Sequence, residues 1–426
     1  MRSGWRNGSA LRLPPHRASS ATLAGAYPFL TVQPLLQGTY VGSDVLTGSP
    51  FCFDPWALYS AGVLTNPNVL LAGVIGQGKS ALAKSLAVRS IAAGRRVYVP
   101  GDPKGEWAAV ATAVGGTVVA LGSGLSTRLN PLDAGGRRTS VDRAAVRAGQ
   151  LRLLASLSET TLGRDLRASE HTALDSALDS ATRKTGGQAT VPDVIAALAA
   201  PDADAARLDG TSTKERVEDG RDLSHGLRRL VRGDLAGLFD GPSTVSLDDT
   251  LPMVVLDLSR LGSHEDALAV AMACTSAWLE TSLTQSGGQR WIVYDEAWRL
   301  LRSAPLVRRM QAQWKLSRAY GIANLMVLHR LSDLAAVGAA GSESRALAEG
   351  LLADCSTRVV YRQESDQLTA VSGNLGLTDT ERDLLPALPR GTGLWKIANR
   401  SYLVQHHLHP EEATAFDTDA SMRGTS

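Results

Sequence analysis

Cysteine is scarce in this chain. Cys52, Cys274 and Cys355 lie far apart with no C-x-x-C spacing, which excludes a zinc knuckle and a disulfide framework and matches a reducing, cytosolic compartment. Long apolar runs are missing too. The longest, around Met253–Leu258 and Leu325–Leu328, fall far short of the roughly 20 residues that cross a bilayer, so no membrane helix is expected. Neither charge dominates. Lys+Arg 44 against Asp+Glu 42 leaves a formal +2, so the overall balance does not call for nucleic acid or an anionic membrane, and only a local patch could serve either. Lysine supplies only seven of the 44 basic residues, a bias that with abundant Ala, Gly and Arg speaks of a GC-rich genome and carries no chemistry. The four arginines in the first 20 residues and the prolines Pro28 and Pro34 argue against a signal peptide, and residues 1–26 read as a disordered lead-in. No internal repeat or heptad run is present.

What is there is enough for two to three modules: 426 residues, of which 44% are hydrophobic. They are organised around Asn68–Ser85, NVLLAGVIGQGKSALAKS, an apolar strand entering a glycine-rich turn and then a helix. Gly73, Gly78, Lys79 and Ser80 match G-x-x-x-x-G-K-[ST], with Gly76 and Gln77 inside the loop and Ala81 opening the helix. Glycines let successive backbone N–H groups point at one phosphate chain, Lys79 reaches the outer phosphates, and the Ser80 hydroxyl ligates Mg²⁺. The helix adds its positive N-terminal end. ATP and Mg²⁺ are therefore the expected ligands.

Around this motif, strands and helices alternate. Residues 27–66 read as a short β-cap, and Arg95–Pro100 and Gly116–Leu121 as further strands of a first half-core over 67–133. Between 134 and 250 the spacing turns helical, at Arg143–Leu157, Arg167–Arg183, Val191–Leu198 and Leu223–Leu230, which predicts an all-helical insertion with a solvated, charge-mixed face. The core resumes over 251–410: strands at Met253–Asp257, Trp291–Tyr294, Ala323–Leu328 and Arg358–Tyr361, helices at Ala267–Thr284, Ala297–Arg318 and Ser344–Leu352, and a terminal hairpin. Residues 411–426 read as a disordered tail. The fold class expected is α/β, a mostly parallel sheet covered on both faces.

WIVYDEAWRLL places Asp295 and Glu296 at the C-terminal end of a strand, where ligands of parallel sheets bind. Asp295 would complete the Mg²⁺ shell and Glu296 would orient and deprotonate the attacking water, because hydrolysis needs both a hard oxygen ligand and a base. A strand-end pair of acids can equally be a helix cap and first-turn acid, and the P-loop in the same chain decides for the Walker B role. His329, after the strand ANLMVL, is placed to read the γ-phosphate, and Arg318, 11 residues earlier, to act as an arginine finger in a neighbouring subunit. A strand-end histidine or helix-end arginine can also be merely structural. Arg358 and Arg362 are reserve contacts. Asp102, Lys104 and Glu106 of GDPKGEW sit near the nucleotide by topology, as contacts to phosphate, water or a subunit interface. SGGQ at Ser286–Gln289 resembles the ABC-transporter signature, yet it abuts the Walker B strand where that family interposes a helix, so it reads as a turn. His406, His407 and His409 have no cysteine at ligand spacing and read as surface residues.

Taken in order, GVIGQGKS, DPKGEW, STRLNPLD, VYDEAW and LHRLSDL, with LVRGDLAGLFDGP at the exit of the insertion, resemble the ATPase domain of the type IV secretion and conjugation traffic ATPases, the TraC/TrbE-like branch of the HerA–FtsK superfamily. The resemblance covers about Gly42 to Gln405. It implies a RecA-like motor forming a homohexameric ring with ATP between subunits, with Lys79 and Ser80 on phosphate and Mg²⁺, Asp295 and Glu296 as Walker B and base, and Arg318 as finger. It also implies membrane-embedded channel proteins as partners and a cytoplasmic place at the inner face of the membrane. Two departures stand out. His329 occupies a position where the family usually has glutamine, and about 70 residues precede the P-loop where family members carry a large docking domain, so docking is expected to use another surface or protein. A DNA translocase of the same superfamily and a non-hydrolysing nucleotide-gated scaffold are the competing expectations.

Overall fold

The computed structural model describes residues 35–133, 140–233, 235–262, 265–283, 287–328, 343–364 and 375–416. Strands β1 (Thr39–Asp44) and β2 (Pro50–Phe53) and helix α1 (Pro55–Ser60) lead to β3 (Val69–Ala72), α2 (Lys79–Ala92), β4 (Arg96–Asp102), α3 (Ala108–Ala113) and β5 (Thr117–Gly122). Helices α4 (Ser140–Leu162), α5 (Ala168–Lys184), α6 (Val191–Ala199), α7 (Ala203–Leu208) and α8 (Thr213–Val231) follow. The chain returns through β6 (Met253–Arg260), α9 (Glu265–Leu283), β7 (Arg290–Tyr294), α10 (Trp298–Leu301), α11 (Ala304–Ser317), β8 (Ile322–Leu328), α12 (Glu343–Ala353) and β9 (Thr357–Val360). It then forms α13 (Asp379–Leu384), β10 (Thr392–Ile397), β11 (Arg400–His406) and α14 (Pro410–Ala415).

These strands form one sheet in the order β2-β1-β11-β10-β9-β3-β8-β7-β4-β6-β5. From β9 to β5 every pairing is parallel, and from β2 to β9 every pairing is antiparallel. The central strands are apolar throughout because both faces are covered: VLLA of β3 and IANLMVL of β8 are buried at every residue. Alternation along β3 divides the core in two. Leu70 and Ala72 join α9, α11 and the helices between β5 and β6 on one face, while Val69 and Leu71 join α1, α2 and α3 on the other.

Four local expectations are sharpened or corrected. The segment expected to be a β-cap supplies β1 and β2, and β1 pairs with β11, so these strands continue the main sheet. The helix expected over Ala297–Arg318 is broken at Arg302–Ser303, because Pro305 opens α11 and lacks the N–H a continuous helix needs. Part of the expected tail is ordered as α14, where Glu412 accepts from Arg89 Nε at 2.7 Å and Ser85 Oγ at 3.2 Å. His406, expected at the surface, is buried in β11, whereas His407 and His409 are exposed. Among the described residues no helix is long and apolar enough to cross a membrane.

Candidate functional site

The loop between β3 and α2 is shaped by its glycines and clamped by its neighbours. Gly76 and Gly78 take φ of +80° and +100°, conformations that side chains resist. Gly73 is required for a different reason: a Cβ there would stand 2.6 Å from Tyr361 Cβ. On one side the Val74 amide donates to the Arg362 carbonyl at 3.1 Å, and on the other the Gly391 amide donates to the Gln77 carbonyl at 3.0 Å. Lys79 is only 4% exposed, and its Nζ donates to the Val74 carbonyl at 2.8 Å. A buried ammonium bonded back to the carbonyl of its own glycine-rich loop, with Ser80 and Ala81 in the first turn of α2, suits a phosphate chain in charge.

A row of acids lies along the same edge of the sheet. Asp102 ends β4, Asp257 lies opposite it on β6, and Asp295 follows β7, two strands from β3. The loop after β4 wraps these acids. Asp102 accepts from the Trp107 amide at 2.7 Å and the Lys104 amide at 3.3 Å, and the Trp107 indole N–H donates to Asp295 Oδ2 at 2.9 Å. Glu106 pairs with the buried Lys84 of α2 at 3.6 Å. Burial pushes the Asp102 carboxyl up to about 6, opposed by the Trp107 amide and reinforced by the Asp295 charge. Ser80 and Asp295 offer the hard oxygens that Mg²⁺ takes alongside phosphate and water. Among the described residues no group of three or more His, Cys, Asp or Glu could hold a metal ion, so an ion here would rely on phosphate and water for most of its ligands.

Glu296 is 3% exposed and adopts φ +57°, rare for a residue with a side chain. Its Oε1 is ion-paired with Lys104 Nζ, and its Oε2 accepts the Trp298 indole N–H at 2.6 Å. Burial lowers the Lys104 ammonium pKa, but the hydrogen bond and charge of Glu296 more than reverse this, and the net shift is upward.

Not every candidate arrives at this edge. Arg318 sits before the N-terminal end of β8, exposed, with Nη1 donating to the Thr65 carbonyl at 3.3 Å. The seven residues of β8, at about 3.3 Å each, separate it from the loop of its own chain. Arg358 is engaged elsewhere, donating to the Leu375 carbonyl at 2.9 Å. Arg362 is exposed and its carbonyl accepts from the Val74 amide, which puts it beside the glycine-rich loop. His329 lies outside the described residues. Sequence reasoning missed the indoles of Trp107 and Trp298, although each follows an acid within a few residues, in DPKGEW and in DEAW.

No protein-family model matches this chain, and no curated protein does. Solved structures do. VirB4 of Thermoanaerobacter pseudethanolicus is 22% identical and superposes with a TM-score of 0.68 over 89% of this chain and 99% of that one. The plasmid coupling protein TrwB, in complex with the ATP analogue ADPNP, is 15% identical with a TM-score of 0.55 over 88% of this chain and 95% of that one. The same protein in complex with ADP and Mg²⁺ is 16% identical, with a TM-score of 0.54 over the same shares. The likeness establishes the fold: an α/β P-loop NTPase fold with a mostly parallel sheet, shared over most of the chain.

Proposed function

We propose that this chain is an ATP-hydrolysing motor of a conjugative or type IV-like secretion apparatus, working as a homohexameric ring on the cytoplasmic side of a membrane channel. The observation that carries the reading is that the Lys79 loop and the Asp295–Glu296 pair follow parallel strands two apart and so lie at one edge of one sheet. The fold likeness to VirB4 and TrwB supports it. Residues 67–133 and 251–410 would form the two halves of the ATPase core, and 134–250 its insertion.

In this reading Lys79 and the amides of Gly76 to Ala81 bind the phosphate chain of ATP. Mg²⁺, held by Ser80 and Asp295, would neutralise charge on the phosphates. Glu296 draws the proton from the attacking water, and Arg318 of a neighbouring subunit stabilises the charge that develops as the terminal phosphate leaves. Arg318 has to act across an interface, since it lies at the far edge of its own sheet from its own loop. His329 would read the γ-phosphate and Arg362 would stand by the cradle.

The test is steady-state phosphate release by the wild type, Glu296→Gln and Arg318→Ala, each with and without single- or double-stranded DNA. Loss of turnover in both variants with ATP binding retained is expected. The likeness to TrwB, a conjugative coupling protein, favours one alternative, a DNA translocase. Strong DNA stimulation with a steep salt dependence would select it. Absence of turnover in the wild type under ring-forming conditions would leave a nucleotide-gated scaffold instead.

A further inference from the structure

Glu296 is held more tightly than a base needs to be if it only has to face water. Its backbone is in the left-handed region, its amide donates to Asp295 Oδ1 at 3.0 Å, and its carbonyl accepts from the Arg299 amide at 3.1 Å. A non-glycine residue keeps such a conformation only where its surroundings over-determine it. Here each carboxylate oxygen has its own donor, from a different element: Lys104 from the β4–α3 loop on Oε1, and Trp298 from α10 on Oε2.

Both donors are themselves fixed. The loop carrying Lys104 is fastened by Asp102, by the Trp107 indole on Asp295 and by the Glu106–Lys84 pair to the P-loop helix. The Trp298 ring carries the Arg299 guanidinium 4.5 Å from its centroid. The Lys104 side chain is 46% exposed against 4% for Glu296, so the lysine fills no core space and its contribution is the contact itself.

We infer that Lys104 and Trp298 are positioning residues for Glu296, one per carboxylate oxygen, setting the direction in which the base meets the attacking water. This rests on the reading of Glu296 as the base. A general base contributes only when its oxygen lies within hydrogen-bond reach of the proton it takes, so a carboxylate free to rotate loses rate without losing substrate.

The experiment compares Lys104→Met, Lys104→Arg, Trp298→Phe and Glu296→Gln, alone and with Lys104→Met combined with Glu296→Gln, in ATP turnover and in nucleotide affinity. Trp298→Phe keeps an aromatic ring for Arg299 and removes the N–H together with the pyrrole part of the indole. Lys104→Met and Trp298→Phe are each expected to lower kcat about tenfold or more while KM for ATP stays within about threefold, and Lys104→Arg to recover part of the loss. In the Glu296→Gln background, Lys104→Met should lower the residual rate no further, because its effect runs through the missing carboxylate. Should Lys104→Met fold poorly, Lys104→Gln and Trp298→Phe carry the same test. Near wild-type kcat in the Lys104 and Trp298 variants, or a rise in KM with kcat unchanged, overturns the inference while an inactive Glu296→Gln leaves the base intact. Wild-type turnover by Glu296→Gln would instead remove the base assignment itself.

Discussion

Gly73 and His406 show how a single position can be set by its surroundings. Gly73 matches the loop pattern, yet the need for glycine comes from the residue that follows β9, since any Cβ would press on Tyr361. Gly73→Ala should therefore shift the loop and weaken binding of a fluorescent ATP analogue about tenfold, with the urea unfolding midpoint little changed. His406 has the opposite history, since three histidines in four positions look like surface and one is buried. Burial, then the Arg89 charge, pushes its pKa down to about 4, with His407 acting the same way and Glu412 against it. An unfolded imidazole titrates near 6.5, so between about 6.5 and 4 the unfolded chain takes up a proton that the folded chain refuses. The stability present above pH 6.5 is lost as pH falls through this window, by up to about 3 kcal/mol. Urea midpoints at pH 7.5 and pH 5 should differ accordingly, and His406→Gln should reduce the difference.

At the scale of elements, α2 does more than present the P-loop. Its Arg89 donates to Glu412 of α14, to the Tyr40 carbonyl of β1 at 2.8 Å and to the His407 carbonyl after β11 at 2.6 Å. One guanidinium thus fastens α2 to the antiparallel side of the sheet. Arg89→Ala would strand a largely buried carboxylate and is expected to cost about 2–3 kcal/mol in urea unfolding. Continuous apolar runs made β3, β6, β7 and β8 readable in the sequence, and helical periodicity located α4 to α6. The broken helix at Pro305 and the short α7 and α14 escaped, because short or interrupted segments offer too few periods and draw their stability from packing.

For the whole molecule, the decisive feature is the distance between Arg318 and the loop of its own chain, which a ring would remove by pairing one subunit's edge with its neighbour's site. Mixing makes this measurable. Lys79→Ala and Arg318→Ala should each be inactive alone, and mixed rings should regain part of the turnover, since intact loops then meet intact arginines. No recovery on mixing, under conditions where the subunits exchange, would place both functions within one chain. By itself the sequence determined the alternating α/β class, the glycine-rich turn between strand and helix and the strand-end acids, because each is written within a few consecutive residues whose conformation is local. Only the tertiary structure decided that Lys104 and Trp298 take the two oxygens of Glu296, that the first and last strands share one sheet, that Arg358 is spent on Leu375 and that Arg318 lies at the far edge. Those contacts join segments distant along the chain, and strand order and register, not local propensity, bring them together.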